Sequence, residues 1–333
     1  MLAKAHGITF ENRIANSGLV AEDVERLLDC NKLFGLLRKP VPTDLAGKLS
    51  AMVGYNLIAD NGDTYDILNL GAVLFARQFA DFPTLRGKEI IVRRYQGTNN
   101  RVLNIEYRTP SGYAICFEDL ISFVVNNTSV ETIGIRRDAK PTYPEVAIRE
   151  LAANMEVHQD FAVKGMPLTI EIFENRLTFT NPGTSLNDVN RLIDLPPHSR
   201  NEDMAQMMLL LRMCERRGSG VDRAVEAIEQ MALPAYKVQS GDDYTRITLF
   251  PKKAINDMTR EERIAACYQH CCLMYEDGQA ISNQSIRERF QLNKNQTAMA
   301  SRILGDAEES GLIKLQHPET GSRKFASYIP FYG

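Results

Sequence analysis

The apolar positions change period several times along the chain, and each change predicts an element. Residues 21–37 (AEDVERLLDCNKLFGLL) have helical spacing, and 68–80 (LNLGAVLFARQFA) are apolar on all sides, as in a buried helix. Between them, ADNGDTYD holds an Asn-Gly turn signal. Residues 88–96 and 102–108 read as strands, and 117–127 (FEDLISFVVNN) return to helix. A long helix is predicted over 144–158, with Pro144 at its first position. Two strand runs follow, MPLTIEIFE and RLTFTN, turning at Asn175-Arg176. After the loop NPGTSLND, helices are predicted at 201–215 and 220–231, separated by Gly218-Ser219-Gly220, and then an alternating strand, DYTRITLFP, ended by Pro251. The remaining segment reads helix, short helix opened by Ser282 or Asn283, turn, helix, and a hairpin with a Gly-containing tip. That is the order of a winged-helix domain. The expected division is 1–143, a small α+β region; 144–253; and 258–333, after the linker PKKAINDMT.

Composition narrows the class. The 333 residues are 44% hydrophobic and 24% charged, which excludes a mostly disordered chain and predicts two or three domains. No run approaches the ~18 apolar residues of a membrane span. The opening MLAKAHGITFENR is too polar for a secretory signal. The six cysteines are scattered or adjacent rather than spaced as a disulfide framework, so a reducing cytoplasm is expected. With a net charge of −3, any DNA contact must come from a local basic patch.

Three stretches could carry chemistry. Glu150, Asn154 and His158 recur every four residues, placing a carboxylate, an amide and an imidazole on one helical face. That row lines a ligand site or is a solvated face. Asn181-Pro182-Gly183 ends a strand with an amide, and Gly183 lets backbone approach a ligand; the same residues also make an ordinary turn. Arg216-Arg217-Gly218-Ser219-Gly220 opens a helix, where backbone N–H groups attract anions, or simply separates two helices. No Walker A loop occurs. Cys267, His270, Cys271 and Cys272 lack a second ligand pair at zinc spacing and read as core. Met204, Met207, Met208 and Met213 also read as core, and His198 as a loop residue.

The order of these parts resembles the GHKL ATP-binding fold of gyrase, histidine kinases and related ATPases. YPEVAIRELAANMEVHQDF, FENRLTFTNPG, SRNEDMAQMM and ERRGSGVDRAVEAI are similar to the RecG-like ATP-binding transcriptional regulators of bacteria and archaea. The upstream stretch LNLGAVLFARQFADFPTLRGKEIIVRRYQG is similar to the segment preceding the ATP-binding part in that family, so the resemblance covers roughly residues 50–330. It implies an α+β chain with a GHKL-type sandwich, a mixed sheet with helices on one face. ATP and Mg²⁺ are the implied cofactors, with a homodimer as a fold-level analogy. Glu150 would activate a water, Asn154 would hold Mg²⁺, and Asn181 would take the place of the adenine-reading aspartate. Gly183 would pack near the base, with Thr248 supporting it. Gly218, Ser219 and Gly220 would lie along the phosphates, with Arg200 reaching them from the lid. Three departures stand out: Leu151-Ala152-Ala153-Asn154, His158-Gln159-Asp160 where the family has a basic residue, and Ser185 where it has glycine. By the same resemblance, the first residues would correspond to the later part of an AlbA/Schlafen-like region, and neither its nuclease-type motif nor a helicase motor motif is found in the 333 residues.

In the tail, Lys294, Asn295, Gln296 and Arg302 on the second helix, with Arg323 and Lys324 at the wing tip, are the candidates for reading double-stranded DNA. The stretch 258–333 holds 9 Lys+Arg and 9 Asp+Glu, so a protein partner stays open as an alternative. The functional expectation is a regulator in which Mg-ATP binding controls the tail. The alternative is a slow Mg²⁺-dependent ATPase in a DNA-transaction or defence system.

Overall fold

The computed structural model describes residues 9–132, 138–196, 198–214, 220–320 and 326–333. The first part is β1 (Ile14–Leu19), α1 (Ala21–Leu27), α2 (Cys30–Leu37), α3 (Leu45–Gly54), β2 (Ile58–Asp60), β3 (Tyr65–Leu68) and α4 (Asn69–Phe75). Its antiparallel sheet has the order β1-β3-β2. The helical spacing of 21–37 is split at Leu28, which is extended, and the Asp29 side chain caps α2 by accepting from Lys32 N.

Next come β4 (Ile90–Tyr95), β5 (Leu103–Arg108), α5 (Tyr113–Thr128), a short pair β6 (Val130–Thr132) and β7 (Asp138–Lys140), α6 (Glu145–His158), β8 (Leu168–Phe173) and β9 (Arg176–Pro182). They are followed by α7 (Glu202–Leu210), α8 (Gly220–Gln230), β10 (Lys237–Ser240) and β11 (Tyr244–Leu249). Six of these strands form one mixed sheet, β10-β11-β9-β8-β4-β5, with β4 parallel to β8. This sheet draws strands from both sides of residue 143. One apolar core likewise runs from Val24 to Leu249.

Strand alternation gives the sheet two different faces. Val92, Ile170, Phe179 and Ile247 form one register row on the core side. The neighbouring row, Glu106, Arg93, Glu171, Thr178, Thr248 and Lys237, lies on the other face. The fold is therefore α+β, an open-faced sandwich.

Helix α6 lies on the core side through Ile148, Leu151, Ala152 and Met155, all buried. Pro144 precedes it as an extended N-cap, one position before its expected place.

The chain ends with α9 (Arg260–Glu276), α10 (Asn283–Arg289), α11 (Thr297–Glu309), β12 (Ile313–Leu315) and β13 (Tyr328–Pro330). A capping box fixes the start of α9, with the Thr259 side chain accepting from Glu262 N. The tail has its own core, from Ile264 to Tyr328, and Cys267, Cys271 and Cys272 are buried in it. Among the described residues no group of three or more His, Cys, Asp or Glu is arranged to hold a metal, and no helix is long and apolar enough to cross a membrane.

Close backbone approach decides one position in the first part. A Cβ on Gly71 would fall on the Leu57 carbonyl, which is main chain and cannot step aside. Gly71→Ala is expected to cost about 2 kcal/mol, within the ~1–3 kcal/mol of overpacked cores, read as a lower urea midpoint at unchanged slope.

Candidate functional site

A cavity of about 510 Å³ opens between α6, the segment 184–200, α7, the start of α8 and strands β9 and β11. Its size suits a nucleotide-sized ligand. Its floor is Phe179 and Ile247, and its wall includes Leu186, Leu192, Leu195 and Leu209. The polar groups gather at two ends, separated by eight residues of α6, or about 12 Å of helix.

At one end stand Glu150, Asn154 and Gly220. A Cβ on Gly220 would lie 2.7 Å from Glu150 Oε2 and 4.0 Å from Asn154 Nδ2, so the first turn of α8 faces both side chains. Glu150 Oε1 accepts from Arg223 Nη1 at 3.2 Å, one turn further along α8. Gly218 and Ser219 lie outside the described residues.

At the other end stand Asn181, Thr245 and Arg200, with Gly183 next to them outside the lining. Asn181 is buried, and its Nδ2 faces two backbone carbonyls, Pro182 O at 3.2 Å and His158 O at 3.5 Å. Those neighbours accept only, which orients the amide and leaves Oδ1 as its accepting group. Gly183 has φ +97°, and a Cβ there would come within 2.7 Å of Asp160 Cβ. Thr245 Oγ1 donates to Gly183 O at 2.8 Å.

The segment 199–201 is held by the C-terminus of α6, whose last carbonyls lack helical partners. Asn201 Nδ2 donates to Val157 O and Gln159 O, both at 2.8 Å. Arg200 donates to Thr184 O at 2.7 Å and to His158 O at 3.4 Å, and it stands 3.8 Å from Asp160. A cation beside a helix C-terminus is favourable. Burial, then the Arg200 charge, lowers the His158 pKa, which favours the neutral imidazole.

Helix α7 has no side-chain cap of its own from Asn201. Glu11 supplies one from the start of the chain, accepting from Met204 N at 2.6 Å. Burial pushes the Glu11 carboxyl up to about 7 against the pull of that N–H.

The structure thus brings together Glu150, Asn154, Asn181, Arg200 and Gly220 around the cavity, while Gly183 lies behind its lining, against Asp160 and Arg200. Arg200 belongs to the Asn181 end and not to the Glu150 end where a phosphate role would put it. Thr248 is not in the cavity. Its register partner is Thr178, on the opposite face of the sheet, and Thr245 faces the cavity beside Asn181 instead. Leu249, buried in the core, shares its face with Thr245, so strand parity held that signal. His198 is a loop residue, as expected, and it also lines the cavity. Arg223 was not singled out in the sequence; its offset of three residues from Gly220 was the available clue.

In the tail, Lys294, Asn295 and Arg302 are exposed. Gln296 is committed locally, its Oε1 accepting from Asn293 N at 2.8 Å. Arg323 and Lys324 lie outside the described residues.

Residues 165–249 match the family described as "Putative ATP-dependent DNA helicase recG C-terminal". The match takes in the Asn181 end and the start of α8 but not α6 with Glu150 and Asn154. A crystal structure of the DIP2311 protein from Corynebacterium diphtheriae shares the fold, with a TM-score of 0.55 at 14% identity. The alignment covers 95% of this chain and 54% of that one. None of the curated proteins matches this chain.

Behind Asn154, on the side of α6 away from the cavity, Glu156 is fully buried and neither of its oxygens has a hydrogen-bond partner among the described residues. Burial raises its carboxyl well above the ordinary carboxylate range. Its contribution to stability is therefore full below the unfolded value and is lost as pH rises through the raised one. Glu156→Gln is expected to flatten that alkaline loss, with Tm nearly unchanged at pH 5 and higher than the parent's at pH 9.

Proposed function

We propose that the cavity binds Mg-ATP and that the protein is an adenine-nucleotide-responsive regulator acting through its tail. The observation that carries this reading is the pairing of one accepting amide with one glycine-fronted acid–amide pair across a single apolar cavity. Asn181 Oδ1 would accept from the adenine 6-amino group, with Gly183 and Thr245 shaping that end and Arg200 bracing it. A guanine presents a carbonyl at the same place and would meet an acceptor with an acceptor. The first turn of α8 favours anions. Asn154 has an oxygen suited to Mg²⁺, which is usually held by one or two protein groups together with nucleotide phosphates. When bound, Mg²⁺ would supply charge neutralisation between those phosphates. The match of residues 165–249 to an ATPase-type family supports the same assignment.

Binding is favoured over turnover by one observation. Glu150 is already paired with Arg223 at 3.2 Å, so its carboxylate is engaged by a side chain rather than presented to a water. The tail would act as a winged helix that engages DNA through Lys294, Asn295 and Arg302, or a partner protein.

Calorimetric titration tests the site. Mg-ATP is expected to bind saturably and GTP not to bind. Asn181→Leu should weaken ATP by tenfold or more, about 1.4 kcal/mol, while Asn181→Asp retains it. Gly220→Val should abolish binding by filling the space before Glu150. Equal binding of ATP and GTP, or an unaffected Asn181→Leu variant, would sink the adenine reading.

Binding of labelled duplex DNA tests the tail. The double reversal Lys294→Glu/Arg302→Glu is expected to lower affinity at least tenfold and to reduce the salt dependence.

A further inference from the structure

Among the described residues the tail touches the sandwich at several places, such as Gln269 Nε2 donating to Tyr236 O at 2.7 Å, and one of these contacts is a wall of the cavity. In the segment 190–195, Leu192 and Leu195 line the cavity. The residues between and before them point to the tail. Ile193 packs against the cores of both sandwich and tail. Asn190 O accepts from Tyr268 Oη of α9 at 2.6 Å. The Arg191 guanidinium lies 4.6 Å from the centre of the Tyr332 ring.

Another contact is a buried ionic cluster at the far end of α8. Glu229 Oε2 meets His270 Nδ1 of α9 at 2.8 Å. Its Oε1 lies 3.1 Å from Arg289 Nε of α10, a close ion contact without hydrogen-bond alignment. Arg289 also donates to Leu233 O at 2.9 Å. Buried charges of this kind fix an orientation, because any displacement strands a desolvated charge. Glu229 lies nine residues, about 14 Å of helix, from Gly220.

We infer that the 190–195 segment is a lever between the cavity and the tail, with the Glu229–His270–Arg289 cluster as its pivot. A ligand that packs on Leu192 and Leu195 shifts the same short segment that Tyr268 and Tyr332 hold, and so changes how α9 sits on the sandwich. The pivot keeps the tail attached while the lever side moves. This inference rests on the nucleotide reading of the cavity for the identity of the ligand, but not for the lever contacts themselves.

Arg191 is also paired with Asp194 within the segment, at 2.6 Å, so the test changes the tail side of the contact: hydrogen exchange on the full chain compares the parent with the double variant Tyr268→Phe/Tyr332→Leu. Neither residue lines the cavity. Without nucleotide, amides in 188–196 are expected to exchange about three- to tenfold faster in the variant, the range for losing one or two hydrogen-bond-sized contacts. With Mg-ATP, the parent is expected to change exchange across α9, and the variant to bind ATP within about threefold of the parent without that change. Unaltered exchange of 188–196 in the variant would overturn the lever contact. ATP binding in the parent with no response in α9, or the same response in parent and variant, would overturn the coupling while leaving the nucleotide site standing. No ATP binding to the parent by calorimetry would overturn the nucleotide reading and the ligand-driven coupling together, and the exchange rates without nucleotide would still report on the contact.

Discussion

The approach of α8 to α6 is the constraint on which the rest depends. The two helices meet end against side, with a glycine as the first described residue of α8 where they come closest. A Cβ at Gly220 would come within 2.7 Å of the Glu150 carboxylate. With that space kept, the helix N-terminus faces Glu150 and Asn154, Arg223 reaches back to balance the carboxylate, and an apolar hollow is left beneath, floored by Phe179 and Ile247.

The other end of the cavity follows from the way α6 ends. Its last carbonyls must find donors, and the chain supplies them from Asn181, Arg200 and Asn201. One set of hydrogen bonds thereby anchors the loop before α7, turns the oxygen of Asn181 toward acceptance, and closes the cavity on that side. Helix α7 needs a cap from Glu11, some 190 residues earlier in the chain. The cavity is thus assembled from the first, second and third parts of the protein. The first supplies the cap on α7, the second the walls, and the third the support behind 190–195.

Much of the site was legible because it lies on short-range patterns. The four-residue recurrence of Glu150 and Asn154 needs only the helical period. The Asn181-Pro182-Gly183 ending of a strand needs only strand and turn chemistry. That Thr245 rather than Thr248 faces the cavity was legible in principle, since Leu249 marks the core face; the resemblance pointed to Thr248 alone. Arg200 shows the opposite case. The resemblance implies a lid residue reaching the phosphates, yet its partners are carbonyls of Thr184 and His158, which no local pattern reveals.

By itself the sequence determined the periods, the turns and the helix starts, and with them an α+β chain with a candidate acid–amide–amide site and a separate helical tail. These follow from local sterics and from which faces must leave water. Only the tertiary structure decided that β4 and β5 join the later strands in one sheet and that the Glu150 charge is met by Arg223. It alone decided that the cavity wall at 190–195 leans on the tail. Those facts depend on contacts between residues far apart in the chain, where many partners of the same chemistry compete and packing selects among them.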